Sequence, residues 1–183
     1  LILLDVMMPE MDGIETCEEL RKIPELQHTL VAFLTARGED YSQIAGFEAG
    51  GDDYITKPIK PRVLVSRIRA LLKRSRSSDT KEEEDTDTVE VGDIIIDKEK
   101  YLVVHKDQQL SLPRKEFELL MLLVSKPDKV FSRDEIYHKI WGEDIIVGDR
   151  TIDVHIRKLR EKLGDSHFQT IKGVGYKFVP QEK

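Results

Sequence analysis

The sequence predicts two consecutive domains, an α/β domain with a parallel sheet and an α+β domain with a small antiparallel sheet. Three observations support this. Unbroken apolar runs alternate with amphipathic helical patterns over residues 1–74. No apolar residue occurs between 75 and 88, whereas short strands, helices and a glycine-containing hairpin are indicated over residues 89–183. We therefore expect domains at 1–74 and 89–183, joined by a flexible acidic linker at 75–88.

Composition limits where the protein works and what it binds. The chain has 183 residues, a net charge of −6 and 39% hydrophobic residues. It contains no run of about 18 apolar residues that could span a membrane, and its single cysteine excludes an internal disulfide. Residues 150–183 carry eight basic and four acidic side chains. We expect a cytoplasmic protein with no membrane partner and one basic surface.

The first domain should be built in the order βαβαβα. Strands are predicted at residues 1–4, 30–34 and 53–56, and helices at residues 12–23, 40–49 and 61–74. This order predicts a parallel sheet with right-handed crossovers. In the last helix the residues expected to face inward are Leu64, Ile68, Leu71 and Leu72.

A polar residue follows each of these strands: Asp5, Thr35 and Lys57. Functional groups collect outside the carboxyl ends of parallel strands, so these three converge if the strands are neighbours. A carboxylate can act as a nucleophile and become an acyl phosphate. The amine and a Mg²⁺ ion could neutralise the phosphoryl charge, and the hydroxyl could donate to its oxygens. Taken alone, each residue is better explained by a loop cap, a strand position or a solvated cation, but together they favour a phosphoryl site.

The first domain resembles the receiver domain of two-component response regulators. The resemblance rests on three stretches, residues 3–13, 34–36 and 51–58. It implies a doubly wound, flavodoxin-like α/β fold and a sensor histidine kinase as phosphodonor. Asp5 would be the phosphoacceptor, and Mg²⁺ would bind its carboxylate and the backbone carbonyl of Met7. Thr35, Tyr54 and Lys57 would respond to the phosphoryl group, with a cis peptide between Lys57 and Pro58.

The resemblance covers only part of a receiver, which has five strands. Residues 1–74 supply counterparts of the last three, so we expect the chain to be a fragment without the first two βα units. The acidic residues that complete the Mg²⁺ site belong to those units, so the site should be incomplete here. Leu1–Val6 should form an exposed apolar edge, and the first domain should be unstable alone.

Within this family the chain is most similar to the OmpR/PhoB subfamily, whose receivers form symmetric dimers. The positions that match its dimer interface are Ile44, Phe47, Val65, Asp52, Asp53, Arg67 and Arg74. One ion pair of that interface is absent, because Gln43 and Val63 occupy its positions. The alternative is an ordinary charged surface. We expect a homodimer on phosphorylation.

The second domain should start with four short strands, at residues 89–91, 94–96, 101–105 and 109–112. Pro113 then opens a helix. Ser132 and Glu135 predict a capping box at the start of a second helix. Trp141 is expected in the core rather than stacked on a base.

Residues 149–163 predict a third helix with Ile152, Ile156, Leu159 and Leu163 on one face. The rest of its surface carries Arg150, Val154, Arg157, Lys158 and Glu161, flanked by Thr151, His155, Lys162 and Arg160. Such a helix suits a DNA major groove, and a basic solvated face is the alternative. Residues 169–178 predict a hairpin with Lys172 near its tip, so helix and hairpin together predict a winged helix-turn-helix domain.

Residues 89–180 resemble the OmpR/PhoB effector domain through four stretches, residues 114–120, 130–133, 150–160 and 173–176. The resemblance implies phosphate contacts for Arg150 and Thr151, base-edge contacts for Val154, Arg157 and Lys158, and a minor-groove contact for Lys172. For His155, a phosphate contact and a simple interface role stay open. The loop Gly142–Gly148 would face RNA polymerase. The five histidines show no metal-ligand spacing.

The sequence thus predicts a transcription regulator that binds promoter DNA sequence-specifically under the control of phosphorylation, and not an enzyme. An aspartyl-phosphate hydrolase is one alternative, but that class usually has a second acid where Met7 stands. A DNA-binding protein controlled without phosphate is the other.

Overall fold

The computed structural model describes residues 1–36, 40–77, 88–142 and 151–181, with the backbone alone for residues 40–43 and 73–77. Contacts within the chain divide it into two compact units, the first holding three strands and the second holding the later ones. Among the described residues, no helix is both long and apolar enough to cross a lipid bilayer.

The first unit is an α/β arrangement in which strands and helices alternate along the chain. Its elements are β1 (Ile2–Asp5), α1 (Gly13–Lys22), β2 (Val31–Thr35), α2 (Asp40–Glu48), β3 (Asp53–Thr56) and α3 (Pro61–Ser77). The sheet order is β1-β2-β3 and both pairings are parallel, which confirms the predicted parallel sheet. Phe33 on the central strand β2 and Ile55 on β3 are fully buried, whereas Leu3 on β1 is 38% exposed.

The helix α3 differs from its predicted form in two ways. It continues to Ser77, past the predicted start of the linker at Ser75. Basic residues near its end favour this extension, since they interact well with the negative end of the helix dipole. Leu71 is buried, but Leu72 is 41% exposed, so the prediction of an inward Leu72 was wrong.

In the residues that the structure describes, the second unit combines a four-stranded antiparallel sheet with three α-helices and a smaller sheet. The first sheet holds β4 (Thr88–Val91), β5 (Ile94–Asp97), β6 (Leu102–His105) and β7 (Gln108–Ser111), in that order. The remaining elements are α4 (Arg114–Val124), β8 (Phe131–Ser132), α5 (Arg133–Ile140), α6 (Thr151–Leu163), β9 (Phe168–Ile171) and β10 (Gly175–Phe178). The strands β8, β10 and β9 pair antiparallel in that order.

The start of α5 forms only half of the predicted capping box. Ser132 caps the helix, since its hydroxyl accepts the Glu135 N–H at 3.0 Å. The Glu135 carboxylate instead accepts from the Lys129 ammonium at 2.7 Å. A charge-assisted hydrogen bond is stronger than a neutral one, which explains why this carboxylate turns toward the lysine. Trp141 is fully buried, as predicted.

Candidate functional site

The carboxyl ends of the three parallel strands bring Asp5 and Lys57 together. Asp5 is the last residue of β1, and Lys57 directly follows β3 on the far side of β2. The Lys57 Nζ atom lies 2.5 Å from Asp5 Oδ2. The two side chains are 38% and 37% exposed, so solvent and small molecules can reach them. The peptide between Lys57 and Pro58 is cis.

Two donors keep the Asp5 carboxylate ionised. The Lys57 ammonium donates to it, and the Met7 N–H donates to Asp5 Oδ1 at 3.1 Å. These hydrogen bonds, that of Lys57 first, hold the pKa of the Asp5 carboxyl below its usual value. The side chain is therefore an accessible anion at neutral pH, which is the form that a carboxylate nucleophile needs.

The turn after Asp5 depends on Gly13, a residue for which the sequence alone predicted no separate role. A Cβ atom at this position would lie 2.2 Å from the Asp5 carbonyl oxygen, so only glycine fits without moving the backbone. The Gly13 N–H donates to the Val6 carbonyl at 3.1 Å. Asp12 caps α1 by accepting from the Ile14 and Glu15 N–H groups, both at 2.8 Å. These contacts support the loop that carries Met7.

Thr35 and Tyr54 lie beneath this surface rather than on it. Thr35 is the last residue of β2 and is fully buried. Tyr54 is 4% exposed, and its ring centroid lies 6.2 Å from that of Phe33 and 6.5 Å from that of Phe47. The tyrosine thus already occupies an inward position in this structure.

Three of the residues matched to a dimer interface are buried inside the first unit. Asp52 accepts the Val31 N–H at 2.8 Å and pairs with Arg21 at 3.2 Å. Asp53 accepts the Tyr54 N–H at 2.8 Å. Phe47 is 2% exposed, and Asp52 and Asp53 are 1% and 0% exposed. These carboxylates therefore have partners in their own chain, from α1, β2 and β3.

The remaining interface positions are distributed differently. Arg67 lies 3.6 Å from Asp53 in the same chain, and its side chain is 16% exposed. Val65 is 44% exposed, and Ile44 is half-buried. The side chain of Arg74 lies outside the part of the chain that the structure describes.

In the second unit, α6 presents a charged face opposite a buried apolar one. Ile152, Ile156, Leu159 and Leu163 are at most 3% exposed, as predicted. The Arg157 side chain is 53% exposed and the Lys158 side chain 28%. Both lie near Glu161, at 3.4 and 3.6 Å, on the solvent side of the helix.

Three other predicted contact residues of α6 are buried. Thr151 is 3% exposed, Val154 6% and His155 1%. His155 stacks on Trp141 with a centroid distance of 5.4 Å. Burial, reinforced by the charges of Lys115 and Lys162, lowers the pKa of His155 to about 3. A neutral, buried imidazole does not suit a phosphate contact, so the interface role is the better reading of this residue.

Two regions that the resemblance predicts to make contacts lie outside the described residues. Arg150 and residues 143–148 of the predicted polymerase-facing loop belong to the undescribed stretch 143–150. The hairpin is described in full: Lys172 is exposed in the turn between β9 and β10, and Gly173 has a φ of +75°. A Cβ atom on Gly175 would lie 1.9 Å from the Phe131 carbonyl oxygen, so glycine allows β10 to pair closely with β8.

A hydrogen-bonded triad joins α5, α6 and the hairpin. The Tyr176 hydroxyl donates to Asp153 Oδ1 at 2.5 Å, and an Arg133 guanidinium nitrogen lies 3.1 Å from each of these two oxygens. Burial, together with the bond to Asp153, raises the pKa of Tyr176 to about 12. The three residues hold the charged helix and the hairpin in a fixed relation. All three lie within the stretches that resemble the OmpR/PhoB effector domain, but sequence periodicity does not show that they are in contact.

Arg160 and Lys162 also serve the fold. Arg160 donates to the Phe168 carbonyl at 2.6 Å and to Thr170 Oγ1 at 2.8 Å, which ties α6 to β9. Lys162 donates to Glu116 Oε2 at 2.6 Å, which ties α6 to α4. The basic surface of α6 is therefore smaller than its count of cations suggests.

Comparison with known proteins matches both units. Residues 1–69 match the family described as response regulator receiver domain, and residues 107–178 match that described as transcriptional regulatory protein, C terminal. The transcriptional regulatory protein SrrA of Staphylococcus aureus is 42% identical over 97% of this chain and 76% of SrrA.

Two solved structures are also similar to this chain. Response regulator DrrB, an OmpR/PhoB homologue of Thermotoga maritima, is 34% identical over 97% of this chain and 78% of DrrB, with a TM-score of 0.48. A RitR mutant is 26% identical over 98% of this chain and 78% of RitR, with a TM-score of 0.74. The chain therefore belongs to the OmpR/PhoB-type response regulators, two-component transcriptional regulators that join a receiver domain to a winged-helix DNA-binding domain.

Proposed function

We propose that this protein binds promoter DNA sequence-specifically under the control of a phosphoryl group that Asp5 accepts from a sensor histidine kinase. The observation that carries the proposal is the accessible, ionised Asp5 carboxylate, held by Lys57 at the carboxyl ends of the parallel strands. The proposed domains are a receiver at 1–74, a linker at 75–88 and a DNA-binding domain at 89–183. Because α3 continues to Ser77, it overlaps the first residues of the proposed linker.

The chemistry follows from the groups at the strand ends. An Asp5 oxygen attacks the phosphorus of the kinase phosphohistidine, the P–N bond breaks, and an acyl phosphate forms. Lys57 leaves the carboxylate and pairs with the phosphoryl oxygens. Thr35 moves toward the phosphoryl group to donate to its oxygens. Tyr54, already only 4% exposed, is proposed to follow inward and pack into the space that Thr35 leaves.

Mg²⁺ is the cofactor proposed for this site. The donors in place are hard oxygens, the Asp5 carboxylate and the Met7 carbonyl in an exposed turn, and these are the ligands that Mg²⁺ prefers. They fit the ion but provide only some of the roughly six ligands that it needs. When bound, the ion neutralises charge on the phosphoryl group.

Phosphorylation is proposed to favour a homodimer through α2, β3 and α3. Ile44 and Val65 are apolar side chains of this face that solvent reaches, and they suit an apolar contact. Asp52, Asp53, Phe47, Arg67 and Arg74 complete the proposed set. Because Asp52 and Asp53 are paired internally, an intermolecular bridge needs a change of partner.

DNA would be read by α6 and the hairpin. Arg157 and Lys158 are exposed on α6 and are proposed to contact base edges, with Lys172 in the minor groove. Arg150, Thr151 and Val154 complete the proposed contacts, although Thr151 and Val154 must become exposed first. The loop at 142–148 is the proposed contact to RNA polymerase.

The test of the phosphoacceptor is labelling with an isotopically marked acyl phosphate in Mg²⁺. The chain is fused behind the first two βα units of a related receiver, so that all Mg²⁺ ligands are supplied. We expect label that hydroxylamine releases, as it does from an acyl phosphate. Asp5→Asn should remove it, because an amide is not a nucleophile here, and Glu18→Gln, an exposed acid of α1, should keep it. Equal labelling of Asp5→Asn and the parent would contradict the proposal.

A further inference from the structure

Three segments of the second unit bring two histidines and an aspartate together. Asp93 lies in the turn between β4 and β5, His105 ends β6, and His167 ends the short 3₁₀-helix Asp165–His167 that leads into β9. One potential ligand atom from each lies within 4.8 Å of the others. These residues are far apart in sequence, and neither the phosphoryl site nor the DNA-contacting surface uses them.

The Asp93 carboxylate stands between the two imidazoles. Asp93 Oδ2 is 3.0 Å from His105 Nε2, and Asp93 Oδ1 is 3.2 Å from His167 Nε2. His167 is 2% exposed and His105 8%. Packing fixes the His167 ring, which stacks on Phe178 at 5.5 Å with an interplanar angle of 10°. The His105 ring meets it edge-on at 5.4 Å.

The hydrogen bonding of this cluster is incomplete. Among the described residues, the buried Asp93 Oδ1 and His167 Nδ1 atoms have no hydrogen-bond partner. The His167 Nε2 atom lies near Asp93 Oδ1 but makes no hydrogen bond of normal geometry with it. A buried carboxylate oxygen that lacks such a bond is costly unless a cation compensates its charge.

We propose that Asp93, His105 and His167 bind a divalent transition metal ion, Zn²⁺ by preference. Two imidazole nitrogens and a carboxylate oxygen are a common zinc donor set, whereas Mg²⁺ and Ca²⁺ prefer oxygen alone. Zinc bonds of about 2.0–2.2 Å place tetrahedral ligand atoms roughly 3.3–3.6 Å apart. Small side-chain rotations bring the three atoms to that spacing, and water takes the fourth position.

The ion would act as a clamp within the DNA-binding unit. Its ligands join the four-stranded sheet to the segment between α6 and the hairpin. The helix α6 and the hairpin are the two elements proposed to contact DNA. The same segment is held by the Val179 N–H, which donates to the His167 carbonyl at 2.9 Å. Metal occupancy would therefore stabilise this unit, since an ion that binds only the folded state adds its binding free energy to stability.

The test is a Zn²⁺ titration of the whole 183-residue chain after chelator treatment, in excess Mg²⁺ to occupy sites built from oxygen alone. We expect one equivalent to bind and raise the thermal midpoint. Asp93→Asn, His105→Gln and His167→Gln should each weaken Zn²⁺ binding by more than about 100-fold, since each loses a direct ligand and the loss of an outer-shell partner alone costs up to about 100-fold. His138→Gln, which changes an exposed histidine of α5, should bind Zn²⁺ as the parent does.

A second measurement needs no variant. Co²⁺ bound to the parent chain at this site should give visible absorption bands of a four- or five-coordinate ion, which Zn²⁺ displaces. Absence of a stoichiometric Zn²⁺ site and of these bands overturns the proposal. Unchanged affinity in Asp93→Asn or His105→Gln, with a native circular dichroism spectrum, overturns it as well. If His167→Gln does not fold, the other two variants and the Co²⁺ spectrum decide.

Discussion

At the scale of single residues, burial changes what a side chain can do. His155 and Arg157 stand two positions apart on α6, yet one stacks on Trp141 and the other reaches solvent. The histidine ring stays neutral because a charged ring would lose its hydration inside the unit. The nearby charges of Lys115 and Lys162 would also repel it. Its role is therefore in the packing of α6, and it carries a pH dependence of stability.

His155→Phe should make the second unit less sensitive to acid. The folded-state pKa of about 3 is below the usual 6.5 of the unfolded chain, so the unfolded state binds the extra proton between these values. Stability therefore falls as pH falls from 6.5 toward 3, by up to about 1.4 kcal/mol per pH unit for this group. Phenylalanine keeps the ring contact with Trp141 but cannot bind a proton.

The measurement is urea unfolding between pH 4 and 7, followed by the fluorescence of Trp141, the single tryptophan. The variant should show a shallower loss of stability in acid than the parent does. Some slope should remain, because burial also lowers the pKa of His167. The exposed His138→Phe serves as the control and should follow the parent. Parallel curves for His155→Phe and the parent would refute the assignment.

At the scale of elements, α6 and the hairpin divide the proposed reading of DNA. Arg157 projects from the exposed face of the helix, and Lys172 lies in the turn between β9 and β10. The triad of Arg133, Asp153 and Tyr176 holds the two elements together. A base contact confers sequence preference, whereas a phosphate or backbone contact confers affinity at any sequence.

Arg157→Ala should cost about 1–3 kcal/mol on the preferred site and relax the base preference at one position. Lys172→Ala should weaken binding to all sequences similarly and reduce the salt slope by about 1. Salt titrations over a panel of DNA duplexes measure both effects. Lys100→Ala, an exposed lysine between β5 and β6, is the matched control. Unchanged affinity in both variants would remove α6 and the hairpin as the DNA-contacting surface.

At the scale of the whole molecule, we propose that dimerisation of the receiver couples it to the DNA-binding domain. A receiver dimer holds two DNA-binding domains at high effective concentration over adjacent half-sites. Single half-sites gain nothing from this arrangement. The DNA length between half-site centres should be about 10 bp, one helical turn.

An acyl phosphate donor should therefore raise affinity for paired half-sites by roughly 100-fold and leave affinity for a single half-site unchanged. The assay measures the affinity for both duplexes, with and without donor, and uses the fusion that carries two βα units of a related receiver. Asp5→Asn should lose the gain on paired sites, whereas Glu18→Gln should retain it. Equal affinity of parent and Asp5→Asn under all conditions would favour control without phosphate.

Local sequence patterns predicted most of the architecture. Runs of apolar residues predicted β1 and β2, and the predicted apolar face of α6 agrees residue by residue with its observed burial. The convergence of Asp5 and Lys57 followed from their positions after parallel strands, because the carboxyl ends of such strands lie at one edge of the sheet. These features depend on periodicity and chain order, which a linear sequence records directly.

Tertiary structure decided the partners. Asp52 meets Arg21, and Tyr176 meets Asp153 and Arg133, through contacts between distant segments. The cluster of Asp93, His105 and His167 has no spacing signal for the same reason. The sequence by itself determined which elements form and in what order. Packing alone decided which charges are satisfied inside, because burial and pairing depend on how three or more segments come together.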